Sequence, residues 1–157
     1  PVDRLRVNLG IHYEKRGNWL LWQGGSDFSG FASERWGPNI TLESFFTARQ
    51  QLSLRLQWVA IQAHEASRYM VQHNHPLQPL GRPADGDGTS FAISDLVIQA
   101  RYRWQIAPMS DLFVVYNRGG GLPGANTGSG FSDLFKDTLS APEREGLVVK
   151  LRYRFGL

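Results

Sequence analysis

Apolar and polar residues alternate with a period of two along most of this chain, and the last strand shows it most clearly. Leu147, Val149, Leu151, Tyr153 and Phe155 fall on one side of an extended segment, and Lys150, Arg152 and Arg154 on the other. Successive side chains of a strand point to opposite faces, so such a ribbon separates an oily surface from a wet, charged one. In a soluble sandwich the oily side meets a second sheet, whereas in a transmembrane barrel it meets lipid and the polar side lines the lumen.

Six further segments follow the same rule. The first strand covers about residues 4–14, with Leu5, Val7, Leu9, Ile11 and Tyr13 opposite Arg4, Arg6, Asn8, His12 and Glu14. A turn at Lys15-Arg16-Gly17-Asn18 leads to a second strand, Trp19 to Gly24, and after a loop over 25–38 a third runs from about Asn39 to Ala48. The short turn Arg49-Gln50-Gln51 precedes the fourth, where Leu52, Leu54, Leu56, Trp58 and Ala60 oppose Ser53, Arg55 and Gln57. The fifth alternates Leu96, Ile98, Ala100, Tyr102, Trp104 and Ile106 with Asp95, Val97, Gln99, Arg101, Arg103 and Gln105; Ala107-Pro108-Met109-Ser110 turns it into the sixth, Leu112 to Asn117. The stretches 67–92 and 119–145, rich in Gly, Pro, Asp, Asn and Ser, read as long loops.

The connections therefore run short, long, short, long, short, long. That is the regularity of bacterial outer-membrane barrels, which have short periplasmic turns and long extracellular loops. The expected fold is all-β: about seven antiparallel up-and-down strands forming the C-terminal part of a transmembrane β-barrel. With the C-terminus in the periplasm, the first strand descends and Pro1 lies at the outer end. An odd count starting outside then requires at least one ascending strand before Pro1, because such barrels have even strand numbers. Seven open strands also leave two edges unpaired in lipid. The chain is thus expected to be a fragment over 1–157, closed by preceding barrel strands or another chain.

Composition bounds this reading without deciding it. In 157 residues there is no run of about 18 apolar residues, which excludes a membrane helix but not barrel strands of about 9–11 half-polar residues. The absence of cysteine removes disulfides and thiolate metal sites. A charge of +3 and a pI of about 9.5 invite a nucleic-acid reading, yet the arginines alternate with apolar residues inside strands instead of clustering, so no nucleic-acid partner is expected.

Several segments resemble one family. Phe45-Phe46-Thr47-Ala48-Arg49-Gln50-Gln51-Leu52-Ser53-Leu54-Arg55-Leu56-Gln57-Trp58-Val59-Ala60 is similar to its strand–turn–strand unit, Ile98 to Trp104 and Ser110 to Gly119 resemble its next hairpin, and Val149 to Phe155 its ending. The family comprises large outer-membrane proteins of Gram-negative bacteria with an N-terminal domain like the family-nine carbohydrate-binding modules and a C-terminal barrel of unknown function. The resemblance implies a barrel fold and an outer-membrane location. The carbohydrate-binding-like domain has no counterpart in this chain, so sugar binding passes to no residue.

Two residue sets stand out. Arg6, Arg55, Arg101, Arg103, Lys150, Arg152 and Arg154 fall on the polar faces, against Glu14, Glu43 and Asp95. A lumen lined by such cations favours anions. Alternatively they pair with carboxylates on other strands or on a plug, and a narrow barrel filled by paired side chains does not conduct. Tyr13, Trp19, Phe46, Trp104, Tyr153 and Phe155 fit an aromatic girdle at headgroup depth, or an ordinary aromatic core. Tyr153 and Phe155 also resemble the aromatic positions of the C-terminal signal read by the barrel-assembly machinery, from whose usual ending Gly156 and Leu157 depart.

Other motifs carry less. His73-Asn74-His75 lacks a third ligand for zinc, Asp85-Gly86-Asp87-Gly88 lacks the remaining ligands of a calcium loop, and Gly119-Gly120-Gly121 lacks the Lys and helix of a phosphate loop. No nucleophile–base pair is placed by a motif, and no cofactor is implied. The reading is a membrane anchor or passage in the bacterial outer membrane, in contact with its lipid, and not an enzyme. The alternatives are a soluble all-β binding module with a ligand cavity and, more remotely, an outer-membrane lipase.

Overall fold

The computed structural model of the chain describes residues 4–72, 76–83, 88–125 and 128–155. It is a single antiparallel sheet with one short helix. The strands are β1 (Leu5–Gly24), β2 (Asp27–Thr47), β3 (Gln50–Met70), β4 (Gln78–Gly81), β5 (Phe91–Ala107), β6 (Ser110–Ala125) and β7 (Arg144–Arg152), with helix α1 (Phe131–Ser140) between β6 and β7. They pair in the order β1-β2-β3-β5-β6-β7, and β4 pairs with β3 beyond the end of β5. The sheet does not close: the outer edges of β1 and β7 have no partner strand among the described residues.

Seven antiparallel strands are present, as the alternation predicts, but they are divided differently. The expected turn at Lys15–Asn18 is a β-bulge between Arg16 and Trp19, inside one continuous β1. The extra residue moves the exposed apolar set from Leu5, Val7, Leu9, Ile11 and Tyr13 to Leu20 and Trp22. A break in phase thus looks like a turn when read from sequence. The expected loop over 25–38 is only the turn Gly25-Ser26, where Gly25 at φ 53 supplies the left-handed conformation, followed by the long β2. β3 continues to Met70 and β6 to Ala125, so both remaining loops are shorter than expected, and they contain β4 and α1.

These changes overturn the polarity of the first strand. Leu5 pairs with Ser44 beside the tight turn Ala48-Arg49, so β1 starts at the end that also holds the Pro108-Met109 turn and the end of β7. The turn at 25–26, β4 and α1 lie at the opposite end. The argument for a missing ascending strand, which rested on an odd count starting outside, therefore falls. Six full lanes run up and down, with β1 and β7 antiparallel to each other.

The helix lies on the sheet because its period-3.6 face is apolar. Leu134 is buried and Phe131, Phe135 and Leu139 pack with it against Trp58, Ala60, Ala92 and Leu96. Its outer face carries Asp133, Lys136 and Asp137, all exposed. Gly120 permits the approach: a Cβ there would meet the carbonyl oxygens of Thr138 at 2.6 Å and Ala141 at 3.0 Å. The Gly119-Gly120-Gly121 run is thus strand, not loop. No helix among the described residues is long and apolar enough to cross a membrane.

Candidate functional site

Cross-strand register sorts the side chains into two faces. One ladder reads Val7, Leu42, Leu54, Ala100, Tyr116, Leu147, and the next Leu5, Ser44, Leu52, Tyr102, Val114, Val149. This Leu face is mostly open: Leu9, Ile11 and Leu147 are 73%, 74% and 66% exposed. Between these rows, on the opposite face, stand Arg6, Glu43, Ser53, Arg101, Val115, Val148 and then Asn8, Thr41, Arg55, Gln99, Asn117, Gly146. Arg103, Lys150 and Arg152 belong to this Arg face as well, and Arg154 lies just beyond the end of β7.

The apolar band of the Leu face crosses the ladders obliquely. On β1 it ends at Tyr13, above which Lys15 pairs with Glu34 at 2.6 Å, on the ladder of Gln62. On β6 and β7 it ends at Tyr116 and Leu147, above which stand Arg118 and Glu145, on the ladder of Leu56. The upper boundary is thus level over β1–β3 and again over β6 and β7, six residues lower, with the step between β3 and β6. Its lower boundary shifts by two residues in the same direction, from the ladder of Leu5 to the one that Trp104 and Leu151 share, and Tyr153 and Phe155 follow beyond the end of β7.

Aromatic rings mark both borders. At the upper one Tyr13 stacks on Trp36 at 4.9 Å, Trp36 approaches Phe131, and Trp58 meets Phe135 edge-on at 5.2 Å. At the lower one Phe46, Trp104, Tyr153 and Phe155 are exposed beside the tight turns, the last two in contact at 4.9 Å. Two expected positions are corrected. Tyr13 lies in mid-strand at the upper border, not beside a short turn, because the chain runs on through the bulge. Trp19, displaced by that bulge to the Arg face, packs on Phe91, which also covers the fully buried Phe31.

The Arg face shows which cations are compensated. Arg6 approaches Glu43 at 3.6 Å. Arg103 and Arg152 converge from both sides on Asp111, at 3.1 and 2.5 Å, and the Asp111 side chain is almost fully enclosed. Asp111 lies one residue before the sixth strand expected from sequence, so alternation alone did not count it on this face. Arg154 contacts Met109 Sδ, and its backbone N–H donates to Ser110 Oγ. Arg55, Arg101 and Lys150 are exposed and form no ion pair or hydrogen bond through their side chains among the described residues.

A carboxylate that sequence reasoning passed over sits above the band. Glu65 is enclosed and accepts hydrogen bonds from Ser29 Oγ at 2.5 Å, Arg68 Nε at 3.1 Å and the Thr89 N–H at 2.7 Å. Burial acts to raise its pKa, but these donors together outweigh it and hold the carboxyl at about 2. Glu65 thereby ties the segment before β5 to the top of β3. Among the described residues no group of three potential ligands could hold a metal ion. His73-Asn74-His75, residues 85–87 of the expected Asp-Gly turn, Gly156 and Leu157 lie outside the described residues. No family model, curated protein or solved structure matches the chain.

Proposed function

We propose that the sheet is part of an outer-membrane β-barrel, serving as a membrane anchor or passage, with the Leu face toward lipid and the Arg face toward the lumen. The oblique apolar band carries this reading. From β1 to β7 the border falls by six residues over five strand-to-strand steps, at about 3.3 Å per residue and about 4.8 Å per step a mean slope of about 40°, all of it taken up between β3 and β6. Barrel strands in membranes tilt by about 35–45°. Leu5 to Tyr13 spans nine strand residues, the length that a tilted crossing takes, and on β7 the apolar set Leu147, Val149 and Leu151 is followed by Tyr153 and Phe155 beyond the strand's end, so aromatic rings stand at both borders as in an interfacial girdle.

In this reading the tight turns after β2 and β5 face the periplasm, and α1 with the β4 hairpin faces outside. The antiparallel edges of β1 and β7 are completed by further barrel strands or another chain, since open edges in hydrocarbon leave amides without partners. Lipid and, during insertion, the barrel-assembly machinery are the expected partners. The likeness of the hairpins to the outer-membrane family described above agrees with this placement. No catalytic role is proposed.

One observation favours the alternative of a soluble module: α1 covers the top of the same apolar face. It covers that part alone, however, and Leu9, Ile11, Leu147, Val149 and Leu151 remain open below or beside it. The charged outer face of α1 also sits at the polar border, where headgroups would lie. Heat-modifiable gel mobility separates the two. A compact, heat-sensitive band from detergent-extracted outer membranes supports the barrel; a monodisperse species in buffer without detergent overturns it.

A further inference from the structure

We infer that the Arg face is an anion-conducting surface, selective for small solutes bearing phosphate or carboxylate groups; this rests on the proposed placement of that face in a lumen. In the rows where the face is basic, Glu43 is engaged by Arg6, and Asp111 by Arg103 and Arg152. Arg55, Arg101 and Lys150 are left without a counter-charge among the described residues. Their cross-strand neighbours on this face are Thr41 and Gln99, Ser53 and Val115, and Phe113, with no carboxylate among them.

The three cations stand on β3, β5 and β7, spread over three strand spacings, about 14 Å. A sheet hydrogen-bonded on both sides of β5 holds their backbones at fixed separations. Guanidinium and ammonium groups bind phosphate and carboxylate oxygens through charge-assisted hydrogen bonds. Between and beside them Gln99, Asn117 and Asn8 supply neutral amides, two of which are already joined, Gln99 to Asn117 at 2.8 Å. The cations step down the strands from the level of Arg55 to that of Ser53 and Gln51, following the slope of the band, so they lie at one depth as part of a ring of charge, the arrangement that sets ion selectivity.

The test is the reversal potential of the full chain reconstituted in a planar bilayer across a KCl gradient, for the native protein and the triple variant Arg55→Gln/Arg101→Gln/Lys150→Gln. The expected result is anion preference in the native protein and its loss in the variant, with heat-modifiable mobility confirming that the variant folds. A conducting protein without anion preference, or with a preference the variant keeps, overturns the inference while leaving the barrel reading intact. So does a protein that inserts without conducting. If the protein does not insert even together with the strands or chain that complete its β1 and β7 edges, the membrane reading fails. Calorimetric titration with tripolyphosphate then decides the remainder: binding lost in the triple variant retains an anion surface, and no binding removes it.

Discussion

The indole Nε1–H of Trp58 donates to the Ser94 hydroxyl at 2.9 Å directly beneath α1. Ser94 Oγ also accepts from Thr138 at 2.6 Å and reaches the Leu134 carbonyl at 3.3 Å, so one fully buried serine joins β3, β5 and the helix. Ser94→Ala leaves a buried indole N–H without its acceptor, at a cost of about 1–3 kcal/mol. The expected outcome is faster proteolytic cleavage within 131–141 while β-sheet circular dichroism is kept. Unchanged cleavage would mean that apolar packing alone holds the helix.

Glu65 gives a pH-dependent attachment at the same end. Its folded pKa of about 2 lies below the ordinary value of 4.5, so its contribution is fully present above pH 4.5 and is lost as pH falls toward 2. Protonation removes the acceptor for the Thr89 N–H and the partner of Arg68. The protection factor of the Thr89 amide, its exchange relative to the intrinsic rate at the same pH, is expected to fall across that interval. Glu65→Gln should show the faster exchange at neutral pH and lose the pH dependence there.

Alternation revealed the sheet best where one face is apolar and the other polar. Leu5 to Tyr13, Leu52 to Ala60 and Leu96 to Trp104 keep a strict period of two, and all three are strand. Above the band the rule fails for a physical reason. Lys15 faces Glu34 on the Leu face, while Phe31 and Ala63 are buried on the other, so neither side is uniformly oily and the first half of β2, residues 27–38, reads as loop. The helix had its own signal in Phe131, Leu134, Phe135, Thr138 and Leu139, a 3.6-residue spacing hidden among Gly and Ser neighbours. The cations of the Arg face were legible, but Asp111 was not, because pairing extends one residue beyond the last apolar position.

Met109 is the one described residue other than glycine with a positive φ, 61°, in the two-residue turn between β5 and β6. A Cβ in that conformation costs about 1–2 kcal/mol. Met109→Gly is expected to stabilise the folded chain by about 1 kcal/mol in denaturant titration, offset in part by the greater freedom of glycine when unfolded. Met109→Val, branched at Cβ, should destabilise it.

Asp111→Asn keeps the size of the side chain and removes the charge that Arg103 and Arg152 share. On a conducting Arg face two more cations become uncompensated, and the anion preference in reversal-potential measurements should increase. An unchanged or reduced preference would show that these arginines lie outside the path.

The orientation of the two faces can be tested without conduction. On β1 the band runs from Leu5 to Tyr13 and on β7 from Leu147 to Phe155, so Leu9 and Leu151 mark its middle on strands at opposite edges. If both face hydrocarbon, Leu9→Arg and Leu151→Arg each cost about 2–4 kcal/mol when folding into lipid vesicles is measured, the value for arginine near the bilayer midplane. Val7→Arg, nearer the lower border, should cost less, since the penalty falls toward the interface. A graded cost with depth is specific to lipid. In water Leu9 is already 73% exposed, and an arginine there would cost almost nothing. Equal, negligible effects at all three positions would therefore reverse the assignment of the Leu face to the membrane.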